Sequence, residues 1–214
     1  MEDPAYCRAR RRMVEDQLTA RGIYDPRVLQ AMGAVPREEF VPQESRDSAY
    51  SDSALALRLG QTISQPYTVA FMCQALELIG DERVLDIGTG SGYAAAVLSQ
   101  LASRVFSIER LPDLASEARS RLARLGYSNV SVRVGDGSQG LVDEAPYDAI
   151  IVAAAADSLP PALPEQLSEG GRLVLPIGPH AGGQRLRRYV RRRGRLEWQD
   201  LGAFAFVPLI CGAN

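Results

Sequence analysis

The sequence predicts an α/β fold in which a doubly wound, mostly parallel sheet follows a helical extension and ends in antiparallel strands. From about residue 83, apolar strand-like segments alternate with helical stretches, which is typical of a parallel sheet covered by helices. Beyond residue 178 this alternation gives way to consecutive strand-like segments, which indicates antiparallel additions. We therefore divide the chain into a helical extension, 1–80, and a core, 81–214, and we expect them to form one compact unit.

The extension contains two predicted helices, VEDQLTARG (14–22) and DPRVLQAMGAV (25–35). A third helix is predicted to begin within GQTISQPYTVAFM (60–72), because proline suits the first helical turn and Ser64 or Gln65 falls near the N-cap. An apolar stripe at helical spacing continues it, formed by Val69, Met72, Cys73, Leu76 and Ile79.

The core elements follow from the same alternation. RVLDI (83–87) is apolar and stops at Gly88, so it is the first predicted strand. The helix at 111–126 ends in glycine, which suits the position after a helix C-terminus. The other predicted core strands are 104–109, 129–136, 147–155 and 172–178, the other helices are 93–102 and 160–171, and the C-terminal strands lie within 186–201 and at 204–210.

Composition excludes several classes of protein. The chain is 46% hydrophobic and 23% charged, which is ordinary globular usage, and its formal net charge of −2 gives no reason to expect a nucleic-acid partner. It has no apolar run long enough to span a membrane and no apolar signal segment at its N-terminus. The three cysteines are widely spaced, with neither disulfide nor metal-site spacing. We therefore expect a cytoplasmic, monomeric protein without a membrane partner or a metal.

Two further absences constrain the chemistry. The sequence has no lysine, and its only histidine is His180, beside glycines in a predicted loop. Lysine-based catalysis is therefore excluded, as is any mechanism that needs two histidines. Chemistry that needs little acid–base assistance fits this composition best.

A glycine turn, Gly88-Thr89-Gly90-Ser91-Gly92, connects the first core strand to the next helix. A turn in this position aims backbone N–H groups and the positive end of a helix dipole at the carboxyl edge of the sheet, where open α/β sheets bind ligands. Glycines also let a ligand approach the backbone closely. The spacing is GxGxG, which differs from the GxGxxG of dinucleotide-binding folds.

Three acidic residues lie at the ends of consecutive predicted strands: Asp86, Glu109 and Asp136, the last followed by Gly137. Because parallel strands end at one edge of a sheet, we expect these carboxylates to converge, with Glu109 placed to accept ribose hydroxyl protons. Each could instead be a cap or turn former. No phosphate-binding pattern accompanies them, so an adenosine ligand with a positive centre is indicated, and S-adenosylmethionine is such a ligand.

The sequence resembles the protein-L-isoaspartate O-methyltransferases, a family of S-adenosylmethionine-dependent methyltransferases with a Rossmann-like fold. The resemblance rests most specifically on GQTISQP (60–66) together with VPREEFVP (35–42), whereas VLDIGTGSGY (84–93) alone indicates only a methyltransferase of this fold. Further matching stretches, in family order, are AYSDSALAL, SIER, RVGDG, APYDAIIVAAAA, GGRLVLPIG and FVPL. They cover the chain from about residue 12 to residue 210.

The resemblance implies a repair enzyme that methylates the abnormal carboxylate of isoaspartyl residues in damaged proteins and peptides, with S-adenosyl-L-homocysteine as the second product. It implies that Ser64 lies at the methyl-transfer site and that residues 1–80 include an active-site lid. The implied cofactor contacts are Thr62, Gln65, Asp86, Gly88, Thr89, Gly90, Ser91, Gly92, Glu109, Arg110, Asp136 and Gly137. The implied substrate contacts are Ile63, Ser64, Pro66, Val207, Pro208 and Leu209.

The chain departs from the family pattern at Ala56, Arg58, Ala156 and Ala205, and these changes touch substrate-facing loops more than the cofactor site. They leave two alternatives open: methyl transfer to another carboxylate or small-molecule acceptor, and a module that binds S-adenosylmethionine without transferring methyl groups. A nicotinamide oxidoreductase is disfavoured because the dinucleotide glycine spacing is absent.

A helix cap alone would explain Ser64, but Thr62, Ser64 and Gln65 crowd one turn where a cap needs a single hydroxyl or amide. We therefore predict that Ser64 both shapes the turn and donates a hydrogen bond to the acceptor carboxylate, as an orienting group and not as a nucleophile or base.

Overall fold

The computed structural model describes residues 3–179 and 182–212. The predicted position of His180 lies outside the described residues. A seven-stranded sheet forms the centre of the fold, in the order β5-β4-β3-β6-β7-β8-β9, and a separate two-stranded sheet pairs β1 with β2. Strands β3 to β7 pair in parallel, and β8 and β9 are antiparallel additions at one edge. The predicted fold class is confirmed.

The strands are short in the lid and longer in the core. The lid strands are β1 (Leu55–Ala56) and β2 (Thr62–Ile63). The parallel strands are β3 (Arg83–Ile87), β4 (Arg104–Glu109), β5 (Val130–Val134), β6 (Tyr147–Val152) and β7 (Leu167–Ile177). The antiparallel strands are β8 (Arg185–Arg192) and β9 (Arg195–Ala203).

The helices surround this sheet and account for most of the predicted helical stretches. They are α1 (Pro4–Arg12), α2 (Pro26–Ala34), α3 (Pro66–Leu76), α4 (Tyr93–Ser99), α5 (Pro112–Arg124) and α6 (Ala162–Glu165). Met13–Leu18 continues α1 with wider helical turns, so the predicted helix at 14–22 is the end of a longer helical stretch. Asp25 caps α2 by accepting hydrogen bonds from the amides of Arg27 and Val28.

Buried apolar side chains cover both faces of the sheet. On β3, Val84 belongs to the cluster that includes the N-terminal helices, whereas Leu85 and Ile87 belong to the cluster on the opposite face. Because side chains alternate along a strand, Asp86 points to the same face as Val84. The division of the chain at residue 80 stays a prediction.

The third predicted helix begins as expected but ends early. Val69, Met72, Cys73 and Leu76 are buried, whereas Ile79 is 77% exposed. The helix stops because the next residue after α3, Glu77, adopts a left-handed conformation with φ 50°. The assignment of Ile79 to the apolar stripe is therefore wrong.

Two further predicted elements differ from the structure. The helix predicted at 160–171 is one turn only, because the buried Gln166 accepts a hydrogen bond from the amide of Tyr147 through its carbonyl oxygen and leads directly into β7. The strand predicted at 204–210 is an extended segment with a single bridge, from Ala155 to Pro208. Proline has no N–H to donate, so it cannot continue a strand ladder there.

Candidate active site

The strand order places a crevice between β3 and β6. The chain runs outward from β3 to β4 and β5 and then returns to the other side of β3 to form β6, which is a topological switch point. Gly88 follows β3 and Ala153 follows β6, and both line one cavity at the carboxyl end of the sheet. A Cβ atom added at Gly88 would lie 3.5 Å from the Cβ of Ala153, so the two strand ends are in close contact.

The glycine turn is held against the neighbouring strand β4 by hydrogen bonds. The amide of Gly88 donates to the carbonyl oxygen of Ile108 at 2.9 Å, and the amide of Gly90 donates to Oε2 of Glu109 at 2.9 Å. Gly90 has a φ of 51°, in the left-handed region that favours glycine. These hydrogen bonds hold the backbone of the turn in place where it lines the cavity.

Glu109 is the acidic group of the cavity wall, at the end of β4. It is buried, and its other oxygen, Oε1, accepts a hydrogen bond from the amide of Leu111 at 3.0 Å. A carboxylate offers about four acceptor positions, so two remain after these bonds. The remaining positions are available to ligand hydroxyl groups.

Asp86 lies behind the glycine turn and does not line the cavity. It is fully buried; Oδ2 accepts a hydrogen bond from the Ser107 hydroxyl at 2.7 Å, and Ser107 Oγ lies 2.6 Å from Thr89 Oγ1. Burial raises the pKa of Asp86 to about 6; the hydrogen bond from Ser107 lowers it, and the nearby Glu109 raises it. Oδ1 is buried with no hydrogen-bond partner among the described residues. Asp86 therefore reaches the cavity wall through Ser107 and Thr89.

Asp136 acts as a turn former in this structure. Its Oδ1 accepts hydrogen bonds from the amide and the hydroxyl of Ser138 at 2.9 and 2.7 Å, and its Oδ2 accepts from the amide of Gly212 at 2.7 Å. Desolvation raises the pKa of Asp136, but these hydrogen bonds outweigh it and hold the pKa below its usual range. The next residue, Gly137, lines the cavity instead.

Gly137 brings the backbone into tight contact with the core. A Cβ atom added there would lie 2.3 Å from Cγ2 of Ile87, which real Cβ atoms essentially never do. Gly137 and Ile87 both line the cavity, together with Ile108. The end of β5 can approach this apolar wall only without a side chain at position 137.

The lid strands close the cavity from the other side. Thr62, Ile63 and Ser64 line the cavity, and a second cleft begins at Thr62 and Ser64. This second cleft, hereafter the acceptor cleft, contains the aromatic side chains of Tyr67, Phe71, Phe204 and Phe206 and the side chain of Arg21. The cavity and the acceptor cleft share Thr62, Ser64, Ala153 and Val207. Ser64 therefore lies at their junction.

The structure does not support a capping role for Ser64. The N-cap of α3 is Gln65, and no side chain caps the first turn. The Ser64 hydroxyl, which is half-buried, forms no hydrogen bond with any residue in the described ranges. Gln65 instead binds Asp52 through Nε2 at 2.7 Å and accepts a hydrogen bond from Thr68 at 3.3 Å.

The C-terminal segment completes the cavity. Ala155 donates to the carbonyl oxygen of Val207 at 2.8 Å and accepts from the amide of Leu209 at 2.7 Å. The buried Gln184 fixes Phe206 by accepting from its amide at 2.7 Å and donating to its carbonyl oxygen at 3.1 Å. These bonds hold Val207, Pro208 and Leu209 in the cavity wall.

Most of the predicted site residues are brought together. Those that line the cavity are Thr62, Ile63, Ser64, Gly88, Thr89, Gly90, Ser91, Glu109, Arg110, Gly137, Val207, Pro208 and Leu209. Those that do not line it are Gln65, Pro66, Asp86, Gly92 and Asp136. Pro66 and Gly92 occupy helix starts, and Gln65 faces the acceptor cleft.

Sequence reasoning missed several apolar residues of the cavity wall. The missed residues include Ile87, Tyr93, Ile108, Leu111, Ala153 and Ala154. Ala153 and Ala154 directly follow β6, so the rule that ligands bind where strand order reverses could have identified them. No sequence pattern of this kind identified Tyr93, which is the first residue of α4.

The four residues that depart from the family pattern each have a defined place in the structure. The amide of Ala156 donates to the carbonyl oxygen of Pro176 at 3.1 Å, a bond that proline could not form. Arg58 forms an ion pair with Glu117 of α5 at 3.1 Å. Ala56 pairs with Thr62 in the lid, and Ala205 lines the acceptor cleft.

The cavity fits an adenosine ligand with a positive centre better than it fits a phosphate. Glu109 is a carboxylate in the wall, and the unpartnered Oδ1 of Asp86 lies behind it. The apolar side chains of Ile87, Ile108 and Leu111 provide surfaces for a flat, uncharged ring. Among residues 3–179 and 182–212, no group of His, Cys, Asp and Glu side chains could hold a metal ion, and no helix is long and apolar enough to cross a membrane.

Comparisons with known proteins agree on one family. The model of the protein-L-isoaspartate(D-aspartate) O-methyltransferase family matches residues 8–214. A protein-L-isoaspartate O-methyltransferase of Methanoculleus marisnigri is 53% identical over 210 residues, which cover 98% of this chain and 95% of that protein.

Two solved structures share the fold over nearly the whole chain. One, a protein-L-isoaspartate O-methyltransferase, has a TM-score of 0.83 and 30% identity over 93% of this chain and 65% of that longer chain. The other, from Plasmodium falciparum in complex with S-adenosyl-L-homocysteine, has a TM-score of 0.81 and 26% identity over 94% of this chain and 98% of that chain. The chain belongs to the protein-L-isoaspartate(D-aspartate) O-methyltransferase family.

Proposed function

We propose that this protein transfers the methyl group of S-adenosylmethionine to the free carboxylate of L-isoaspartyl residues in damaged proteins and peptides. Membership of the family over residues 8–214 supports this reaction. The structural observation that carries it is the position of Ser64, where the cavity at the sheet edge meets the acceptor cleft. A group bound in the cavity and a peptide bound in the cleft would meet at this residue.

The cavity residues suit the cofactor in their chemistry. Glu109 would accept hydrogen bonds from the ribose hydroxyl groups, and the backbone of Gly88 and Gly90 would lie against the ligand without intervening side chains. Ile108 and the backbone of Gly137 would border the adenine. When bound, S-adenosylmethionine supplies an electrophilic methyl group on a positively charged sulfur.

The acceptor needs no general base. A peptide α-carboxyl or aspartyl carboxyl has an ordinary pKa of about 3.3–3.9, so it is ionised and nucleophilic at pH 7. What the protein must supply is alignment of the reacting atoms and exclusion of water. A chain without lysine and with a single histidine can supply both.

Ser64 is the proposed group that orients the acceptor. Its hydroxyl has no partner among the described residues, so it is available to donate a hydrogen bond to the acceptor carboxylate. Because that carboxylate is already charged, Ser64 acts neither as a nucleophile nor as a base. Val207, Pro208 and Leu209 line the same cavity and would border the reacting group.

Methyl esterification is the first step of a repair sequence. The methyl ester is a better electrophile than the free carboxylate, because it can expel methoxide. The neighbouring backbone amide nitrogen attacks the ester carbonyl carbon, the bond to the methoxy group breaks, and the amide proton leaves with methoxide as methanol, which closes a succinimide. Hydrolysis of that ring then returns part of the material as normal aspartate. The enzyme itself needs to catalyse only the methyl transfer.

We further propose that the protein acts as a cytoplasmic monomer on protein and peptide substrates, without nucleic-acid or membrane partners. The formal net charge of −2 and the wide spacing of the three cysteines in the sequence support this setting. Light scattering of the purified protein tests it, and a concentration-independent mass near 23.2 kDa is expected. A stable dimer would contradict it.

Paired peptides test the reaction directly. The protein is incubated with S-adenosylmethionine labelled in the methyl group and with two peptides that differ only in aspartyl or isoaspartyl linkage at one position. We expect base-labile methyl esters on the isoaspartyl peptide alone. Equal labelling of both peptides would reject the repair assignment and favour a different carboxylate acceptor. Cofactor binding with no labelled acceptor would favour a non-catalytic binding module.

A further inference from the structure

Arg37 is a fully buried charged residue that lies outside the cavity wall. It belongs to the VPREEFVP segment and has no solvent-exposed surface. Burial lowers the pKa of its guanidinium, and the neighbouring Tyr93 and Tyr50 raise it. A buried cation is costly unless it is hydrogen-bonded, so its contacts indicate what it does in the fold.

The guanidinium of Arg37 connects three segments that meet at the site. Nε donates to the carbonyl oxygen of Ala49 at 2.7 Å, ahead of the lid strands. Nη2 donates to the carbonyl oxygen of Ser64 at 2.8 Å. The guanidinium carbon lies 4.6 Å from the ring centre of Tyr93, the first residue of α4 and part of the cavity wall. Arg37 thus fixes the Ser64 peptide relative to the helix that follows the glycine turn.

This contact matters because little else holds Ser64. Its hydroxyl makes no hydrogen bond within the described ranges, and β2 ends at Ile63, one residue before it. The position of the hydroxyl therefore depends on the backbone. A misplacement of about 1 Å at a reacting centre can reduce a rate by about 100-fold.

We infer that Arg37 is a positioning residue for methyl transfer, which holds the Ser64 hydroxyl at the junction of the cavity and the acceptor cleft. The inference rests on the proposed function, because it requires Ser64 to orient the acceptor carboxylate. Arg37 does not touch either ligand. It acts through its hydrogen bond to the backbone carbonyl oxygen of Ser64. This bond fixes the backbone that carries the Ser64 side chain and that leads into α3 at Pro66.

A variant pair separates positioning from general support of the fold. Arg37→Lys keeps the charge but loses the forked geometry that reaches two carbonyl oxygens. Arg27→Lys is the matched control, because Arg27 also donates to two carbonyl oxygens, those of Leu78 at 2.6 Å and Leu101 at 3.1 Å, and does not line the cavity or the cleft. Assays use saturating S-adenosylmethionine and the isoaspartyl peptide.

We expect Arg37→Lys to lower kcat without weakening cofactor binding, and Arg27→Lys to leave kcat nearly unchanged. Arg37→Lys lowers kcat by about 10- to 100-fold and leaves the Kd of S-adenosyl-L-homocysteine within about 2-fold of the wild type. Arg27→Lys lowers the denaturation midpoint but changes kcat by less than about 2-fold. Equal kcat losses in the two variants, or a parallel rise in the cofactor Kd for Arg37→Lys, would overturn the inference.

A double variant tests the route through Ser64. If Arg37 acts through Ser64, the combination of Arg37→Lys with Ser64→Ala loses no more activity than Ser64→Ala alone. Losses that multiply would show that Arg37 acts by another route. Should Arg37→Lys fail to fold, Arg37→Gln, which leaves no buried charge, enters the same comparison. If the wild-type protein methylates no isoaspartyl peptide, the proposed function is overturned. If the wild type and the Arg37 variants are all fully active, only the positioning role of Arg37 is overturned.

Discussion

The two halves of the site are built in different ways. The cofactor half consists of strand ends and glycine turns from β3, β4 and β5, held by backbone hydrogen bonds of the sheet. The proposed acceptor half consists of the lid and the C-terminal segment. Backbone bonds of Ala155 with Val207 and Leu209 hold part of it, and side chains that bind distant backbone groups hold the rest. Arg37 reaches Ser64 across 27 positions, and Gln184 reaches Phe206 across 22.

This difference has an energetic consequence. A turn that continues a parallel sheet cannot move without breaking the ladder, so the cofactor half is rigid by construction. The acceptor half depends on a few individual hydrogen bonds, so it can be displaced by single substitutions. Under the proposed function, a peptide would bind on the side that depends on few hydrogen bonds, and the cofactor would bind on the side formed by the sheet.

The largest expected effect tests the rigidity of the cofactor half. Gly137→Ala places a methyl group 2.3 Å from Cγ2 of Ile87, and both residues are in the buried cavity wall. We expect a loss of about 1–3 kcal/mol in the free energy of unfolding, because overpacking displaces core atoms. We also expect at least about a 100-fold weaker Kd for S-adenosyl-L-homocysteine by calorimetry, about 2.7 kcal/mol.

Gly33→Ala is the matched control for this substitution. A Cβ atom there would lie 3.8 Å from Cγ2 of Val14, an ordinary contact, and the residue is within α2. We expect it to stabilise the protein by about 0.5–1 kcal/mol, since glycine weakens helices, and to leave the cofactor Kd unchanged. A Gly137→Ala protein with normal affinity would contradict the proposed rigidity.

The cofactor half was also the more predictable half. Thr89, Gly90 and Glu109 could be assigned from local pattern, because an apolar strand followed by glycines or an acid identifies a strand end. Asp86 was placed correctly at the strand end, but alternation along β3 turns its side chain away from the cavity. Asp136 was also predicted to contact the ligand, but it forms a turn with Ser138. Sequence alone could not distinguish between these two roles of a carboxylate at a strand end.

The acceptor half depends on partners that no local pattern reveals. The resemblance identified Ser64, but its contact with Arg37 lies 27 residues away in sequence. The strand predicted at 204–210 does not form a continuous ladder. The side chain of the buried Gln184, which precedes β8, forms hydrogen bonds with the amide and the carbonyl oxygen of Phe206, so these groups do not pair with another strand. Side-chain to backbone hydrogen bonds of this kind follow from the assembled fold.

The second prediction concerns the buried Asp86. Burial raises its pKa from 3.8 to about 6 in the folded protein, so between these values the folded state binds more protons than the unfolded state. The stabilising contribution is therefore full below pH 3.8 and is lost as the pH rises through about 6. At about 1.4 kcal/mol for each pKa unit, it amounts to about 3 kcal/mol. Asp86→Asn removes this titration, so its stability relative to the wild type should rise between pH 4 and 6 and then level off.

Urea unfolding at several pH values measures the difference, and Asp136→Asn provides a control of opposite sign. Desolvation raises the pKa of Asp136, but its hydrogen bonds with Ser138 and Gly212 together outweigh this and lower the pKa. Its stabilising contribution is therefore present above the unfolded pKa and is lost as the pH falls. That variant should lose stability relative to the wild type as the pH rises. A pH-independent difference for Asp86→Asn would show that Asp86 titrates normally.

The third prediction tests the acceptor half at Ser64. Ser64→Ala removes the proposed hydrogen bond to the acceptor carboxylate, and hydrogen bonds to charged groups contribute about 1.5–3 kcal/mol. We expect kcat to fall by about 10- to 100-fold with the cofactor Kd and the unfolding free energy unchanged, because the hydroxyl caps no helix. An unchanged kcat would reject the orienting role. Thr19→Ala, which removes a hydroxyl that donates to the carbonyl oxygen of Val14 and lines neither the cavity nor the acceptor cleft, is the control and should retain kcat.

The smallest expected effect concerns the contact between the two halves. Arg58 in the lid forms an ion pair with Glu117 of α5 at 3.1 Å, and their side chains are 76% and 41% exposed. Exposed pairs of this kind contribute about 0.2–1 kcal/mol and are screened by salt. A double-mutant cycle with Arg58→Ala and Glu117→Ala should give a coupling energy in this range at low salt and none at about 1 M salt. Because the pair links the lid to α5 by one exposed contact, its loss should change the peptide KM by no more than about 2-fold and leave the cofactor Kd unaltered. A larger change in the cofactor Kd than in the peptide KM would mean that the lid supports the cofactor half, and the two halves would then not be independent.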